Sequence, residues 1–97
     1  MSYRLSRQAR DDLRAIWRYT ATRWSVVQAD AYLAEVNAAL TQLADGHRIS
    51  QQVEGLRQPY RRYLIGSHAI YFRSDASGEI RVARVLHQNM DHPRHLR

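Results

Sequence analysis

The chain reads as an α+β domain, with a short N-terminal strand and an αα-hairpin packed on one face of an antiparallel β-sheet, and a short C-terminal tail. Two observations predict this. Apolar residues recur every three or four positions through the first half and every second position after residue 60, so helical periodicity gives way to strand periodicity once along the chain. Ninety-seven residues that are 44% hydrophobic also suffice for one core but not two, which predicts a single domain over residues 1–97.

Tyr3 to Leu5 is the candidate first strand, and Ser6 offers a side-chain oxygen to cap the following helix. Ala9, Leu13, Ile16, Trp17, Thr20 and Trp24 share one helical face, with Arg10, Arg14 and Arg18 on another. At that spacing both tryptophans are assigned to the core. Ser25 opens a second helix, because Gln28 stands three residues later as in a capping box. Ala29, Leu33, Val36, Leu40 and Leu43 carry the apolar stripe on until Gly46 permits a left-handed turn.

Residues 47 to 59 have no period and read as a surface connection. Tyr60 to Ile65, His68 to Arg73 and Ile80 to His87 are strands rich in Tyr, Ile, Val and Phe, joined by a two-residue turn at Gly66-Ser67 and a longer one containing Gly78. The helices cover one face of this meander, Tyr3 to Leu5 joins its edge, and the other face stays available for function. In the last strand, alternation sets Arg81, Ala83, Val85 and His87 on one face and Ile80, Val82, Arg84 and Leu86 on the other. Arg84, among apolar neighbours, is expected to pair with a buried acid or carbonyl.

Composition excludes several chemistries. There is no cysteine, hence no disulfide, thiolate nucleophile or sulfur-based zinc site. All fifteen basic residues are arginine, so lysine Schiff-base chemistry is absent while forks suited to phosphates and carboxylates are abundant. Net charge is +2 over residues 1–50 (seven Arg, five acids) and +4 over residues 51–97 (eight Arg, four acids), a field that favours an acidic partner, nucleic acid or protein. No apolar run is long enough for a membrane span, and the N-terminus lacks the apolar core of a signal peptide, so the expected location is the cytoplasm. His87, His92 and His95 with Asp91 fall short of a metal site, and no metal or cofactor is expected. Ser67, Ser74 and Ser77 lie in turns without the strand-elbow context of a nucleophile. His68, beside a tight turn, is read as structural. Tyr60, Tyr63 and Tyr71, interleaved with Arg57, Arg61, Arg62 and Arg73, suit either base stacking or anchoring of a partner peptide.

In order along the chain, YRLSRQARDDLRAIWRYTATRW, QADAYLAEVNAALTQLA, GLRQPYRRYLIGSHAIYFR and RVLHQNMDHPRHL resemble the ParE family of toxins, within the wider ParE/RelE group. The resemblance implies the RelE/ParE-like version of the derived fold. It also implies a toxin neutralised by a cognate ParD-like antitoxin in a higher-order hetero-oligomer, with DNA gyrase as target and no sequence-specific DNA reading of its own. On that reading no catalytic residue is expected. The gyrase-binding surface is assigned to the end of the last strand and the tail, namely His87, Met90, Asp91, His92, His95 and Leu96. Arg57, Tyr60, Arg62, Tyr71 and Arg73 are assigned to the antitoxin. The alternative implied by the group is a metal-independent, ribosome-dependent mRNA endonuclease of RelE type. Such an enzyme would use His87 for proton transfer, with Arg61, Arg73 and Arg81 around the scissile phosphate.

Overall fold

The computed structural model describes residues 2–56, 58–90 and 96. The elements are β1 (Tyr3–Leu5), α1 (Arg7–Arg23), α2 (Val26–Ala44), β2 (Gln51–Gln52), β3 (Arg61–Ile65), β4 (His68–Ser74) and β5 (Ile80–His87). The strands form one sheet in the order β1-β5-β4-β3-β2. β1 runs parallel to β5, and the remaining pairs are antiparallel. β2 lies inside the segment read as a plain connection. Two residues are too few to show a period, and pairing with Arg61 and Arg62 is what makes them a strand.

Local chemistry sets the boundaries. Ser6 Oγ accepts from the Ala9 N–H at 2.9 Å and donates to the Ala83 carbonyl at 2.6 Å, so one hydroxyl caps α1 and ties it to β5. Ser25 Oγ accepts from the Gln28 N–H at 3.0 Å and starts α2. α2 ends in a Schellman motif: with Gly46 at φ 76°, the Gly46 N–H donates to Leu43 and the His47 N–H to Gln42. Gly66 has φ 54° while Ser67 is not at positive φ, which is the type II′ turn that glycine at the first central position permits.

The main core lies between the helices and one face of the sheet. Ala9, Ile16, Val36, Ala39, Leu40, Leu43 and Ala44 meet Ile70, Phe72, Ile80, Val82 and Val85. A smaller cluster on the other face holds Val53, Ala69, Tyr71, Leu86 and Leu96, with Leu56, Tyr60 and Ala83 against it. The second face is therefore not left open as expected. Val53, Leu56, Tyr60 and Leu96 pack over it, because Ala69, Tyr71 and Leu86 present apolar surface that is favourable to remove from water.

Two further expectations are corrected. Tyr71 pairs with Arg84 and Phe72 with Val82, so Ala83 is an extra residue in β5, a β-bulge. Strict alternation fails there. Val82 and Val85, three apart, both enter the main core, and Val85 and His87 lie on the opposite face from Arg81 and Ala83. Trp24 is not core either. It caps α1 just beyond the last helical residue and is 66% exposed, while Trp17 is half-buried and donates its Nε1–H to Asp30 Oδ1 at 2.8 Å.

Arg84 has the expected partner. Its Nε and Nη2 donate to the two oxygens of Asp12 on α1, each at 2.8 Å, and the Asp12 carboxylate also accepts the Val85 N–H at 2.9 Å. Both side chains are mostly buried. Asp12→Asn leaves one acceptor oxygen and an amide N–H facing a guanidinium, and should cost about 3 kcal/mol in urea unfolding. A loss below about 1 kcal/mol would show that the pair is dispensable.

Candidate functional site

A groove of about 840 Å³ opens between the flank of the αα-hairpin and the ends of β4 and β5. Ala15, Tyr19 and Arg23 reach it from α1 at steps of four, and Gln28, Ala31 and Glu35 from α2 at steps of three and four. Trp24 at the hairpin tip and Ser67, His68 and His87 at the sheet end close it. Its wall carries the exposed Tyr19 and Trp24, and Val26 and Val27, next in sequence beyond the tip, are exposed as well, which is strongly apolar for a surface.

The floor is a hydrogen-bonded aromatic group. His68 and His87 face each other across the β4–β5 ladder with ring centroids 5.6 Å apart, edge to face. Tyr32 lies 5.6 Å from the His68 ring, its hydroxyl 2.7 Å from His68 Nδ1 and 3.1 Å from the Ile65 carbonyl. One pattern satisfies all three atoms: Nδ1–H donates to the Tyr32 oxygen and the Tyr32 hydroxyl donates to Ile65, which leaves Nε2 of neutral His68 as an acceptor. Gly66 makes room for this packing, because a Cβ there would lie 2.6 Å from the Tyr32 oxygen. Burial raises the Tyr32 hydroxyl above its ordinary value of 10.0 and lowers the His68 imidazole below 6.5, where the charge of His87 adds to the effect.

The residues assigned from sequence are distributed differently from expectation. Of the gyrase-binding set, His87 is exposed at the groove mouth and Met90 is 42% exposed beyond it. Leu96 is only 7% exposed, packed in the second cluster, so it belongs to a core rather than offering an exposed contact. Asp91, His92 and His95 lie outside the described residues. Of the antitoxin set, Tyr60 is half-buried under Arg73, whose guanidinium stacks 5.5 Å from its ring and donates to Gln58. Arg62 is half-buried on β3 and Arg57 lies outside the described residues. Tyr71 is 2% exposed and unavailable to any partner, because Val53, Leu56, Tyr60 and Leu96 pack on its face.

The endonuclease constellation is not assembled. His87 ends β5 on the helix side. Arg81 begins β5 on the other face, six residues away and about 20 Å along the strand. Arg73 stands opposite Arg81, which is bound to Asp75 at 3.1 Å, and Arg61 is held by Ser50. Sequence reasoning also missed Tyr19, Trp24, Tyr32 and His68 as a joint surface. The available signal was the position of Trp24, Val26 and Val27 at the junction of the two helices, off the apolar stripe of α2.

The lowered His68 value has a defined consequence. Because the unfolded chain takes up the proton first, the stability from neutral His68 is complete above pH 6.5 and is lost as pH falls from there to the lower folded value. Asp75, held at about 2 chiefly by the Ser77 hydroxyl, acts only below its ordinary 3.8 and does not overlap this window. Urea midpoints should therefore fall between pH 7.5 and 5.5 in the parent protein and fall less in His68→Gln. Equal slopes in both would remove His68 from the titration.

The comparisons with known proteins agree with this fold. A family model described as the ParE toxin of type II toxin-antitoxin system, parDE, matches residues 3–92. The chain is 44% identical over 94 residues to Toxin ParE1 of Caulobacter vibrioides, spanning 97% of this chain and 96% of that one. It is 42% identical over 94 residues to Toxin ParE1 of Mycobacterium tuberculosis, with the same coverage. A solved chain from the chromosomal ParDE TA system of P. aeruginosa superposes with a TM-score of 0.76 at 19% identity, over 90% of this chain and 95% of that one, which is a likeness of fold. From β1 through the end of β5, and at these identities over nearly its whole length, this chain belongs to the ParE toxin family of type II toxin-antitoxin systems.

Proposed function

We propose that the protein inhibits DNA gyrase by binding it, without chemistry of its own, and so blocks replication and growth in the cytoplasm until a ParD-like antitoxin neutralises it. Membership of the ParE family carries this reading. It is supported by the separation of His87 from Arg81 and Arg73, which leaves the groove with histidines but no ring of cations around a phosphate. The exposed end of β5, with His87 and Met90 and the tail beyond it, is the proposed gyrase contact. Asp91, His92 and His95 belong to that proposal by sequence alone.

The antitoxin, on this reading, lays an amphipathic segment into the groove. Tyr19, Trp24 and Val27 supply apolar anchors, and Arg23 is a cation for its carboxylates. Tyr60, Arg62 and Arg73 offer a second, more polar contact on the sheet, and further copies of both chains complete a higher-order complex. Most of the binding comes from burial of the aromatic rim, so moderate salt weakens the complex only in part.

Purified gyrase and supercoiled plasmid test the first claim. The protein should abolish supercoiling or accumulate cleaved DNA, with relief by the antitoxin. Met90→Ala should raise the half-maximal dose several-fold with an unchanged melting temperature. Intact supercoiling at saturating folded protein would reject the gyrase reading. For the groove, Trp24→Ala should weaken antitoxin binding by at least about tenfold in calorimetry. Unchanged affinity would place the antitoxin elsewhere.

A further inference from the structure

Helix α1 carries a charge pattern that neither the core nor the groove uses. Arg7, Arg10, Arg14 and Arg18 are all exposed. At 3.6 residues per turn their steps of three and four confine them to an arc of about 80°, in a stripe about 16 Å long. Buried Ala9 and Ile16 lie on the opposite side of the helix, and Ala15, Tyr19 and Arg23 turn toward the groove on a third. A partner seated in the groove therefore leaves the stripe open.

The fold does not need this stripe. Among the described residues its one ion pair is Arg14 with Asp11, at 3.6 Å and well exposed, and Arg7, Arg10 and Arg18 have none. Arginines four apart repel one another, and Arg7 and Arg10 stand at the positive end of the helix dipole, where carboxylates are favoured; the first turn has no acid. At its N-terminal end the stripe enters a cleft of about 670 Å³ lined by Tyr3, Arg4, Leu5, Ser6, Arg10 and Arg81. Arg4 is engaged with Glu79 at 3.0 Å and Arg81 with Asp75 at 3.1 Å, so Arg10 is the cation there without an ion pair among the described residues. Exposed side chains that work against their own helix mark a surface shaped for a partner.

We propose that this stripe binds the sugar-phosphate backbone of duplex DNA without regard to base sequence. Guanidinium forks match phosphate oxygens, and a straight row of them suits a regular row of phosphates. No exposed aromatic or aliphatic side chain interrupts the row, so it lacks both the anchors that hold a peptide and the platforms that stack unpaired bases. The proposal stands apart from the gyrase reading. Where both hold, the toxin grips the DNA segment on which its target works.

The test is fluorescence anisotropy of the free, full-length protein on a labelled random duplex of about two helical turns, between about 50 and 200 mM salt. Log affinity should fall against log salt with a slope of about −3. Arg10→Gln/Arg18→Gln should make the slope shallower by about 2 and weaken binding at low salt by roughly tenfold or more, with an unchanged circular dichroism spectrum. Arg48→Gln/Arg61→Gln removes the same charge beside β3, where Arg48 stacks 5.2 Å from the Tyr63 ring and Arg61 is held by Ser50, and should keep the parent slope. Three results would overturn the proposal: no binding by the parent protein, equal losses in both double variants, or tighter binding to single-stranded DNA or polyglutamate than to the duplex. Gyrase supercoiling measured separately distinguishes a failure of this proposal from a failure of the gyrase reading.

Discussion

The Asp12 carboxylate is the constraint on which the architecture turns. β1 is only three residues long, so among the described residues β5 has a neighbouring strand on that edge from Ile80 to Val82 and none beyond. Past the end of β1, the Val85 N–H would face away from any strand, and α1 supplies Asp12 to accept it while gripping Arg84 with both oxygens. One side chain thus completes the edge of a sheet, neutralises an arginine among apolar neighbours and sets the height of α1 along β5. Ser6, nearly two helical turns earlier, also ties α1 to β5, through the Ala83 carbonyl. Because only Trp24 and Ser25 separate α2 from α1, fixing α1 also fixes the groove.

The bulge at Ala83 is the second decision, and it governs function more directly. Without the extra residue, His87 would share a face with Arg81 and lie on the sheet surface opposite the helices. With it, His87 crosses to the helix side, meets His68 and becomes part of the groove. The same shift carries Val85 into the main core and Leu86 into the second cluster, so the two hydrophobic clusters and the histidine pair depend on one irregularity.

Charge is then divided among separate surfaces. The groove is aromatic and nearly neutral, with Arg23 and Glu35 on its walls. The outer side of α1 is cationic, and the sheet arginines are largely occupied: Arg61 with Ser50, Arg73 with Tyr60 and Gln58, Arg81 with Asp75. A field that looks general in the composition therefore resolves, among the described residues, into one exposed stripe in which Arg7, Arg10 and Arg18 have no ion pair and into several arginines engaged locally. That division suits a binder with distinct faces for distinct partners.

Periodicity, caps and turn glycines determined the elements and their order, apart from the two-residue β2. The helical and strand periods, Ser6, Ser25, Gly46 and Gly66 are local signals, and each acts in the structure as its chemistry requires. The quoted stretches likewise sufficed for the ParE resemblance that the family match bears out. What only the tertiary structure decided was which side chains meet. A β-bulge has no sequence period to announce it, so the facing of Val85 and His87 was misread. Tyr71 and Leu96 looked like surface residues until they were seen to pack with Val53, Ala69 and Leu86, with Leu56 and Tyr60 against them. The partnership of Tyr32 with His68 joins residues 36 positions apart, and that of Asp12 with Arg84 joins residues 72 apart. Such contacts depend on where helices land on the sheet, which packing across the whole chain settles and no local window contains.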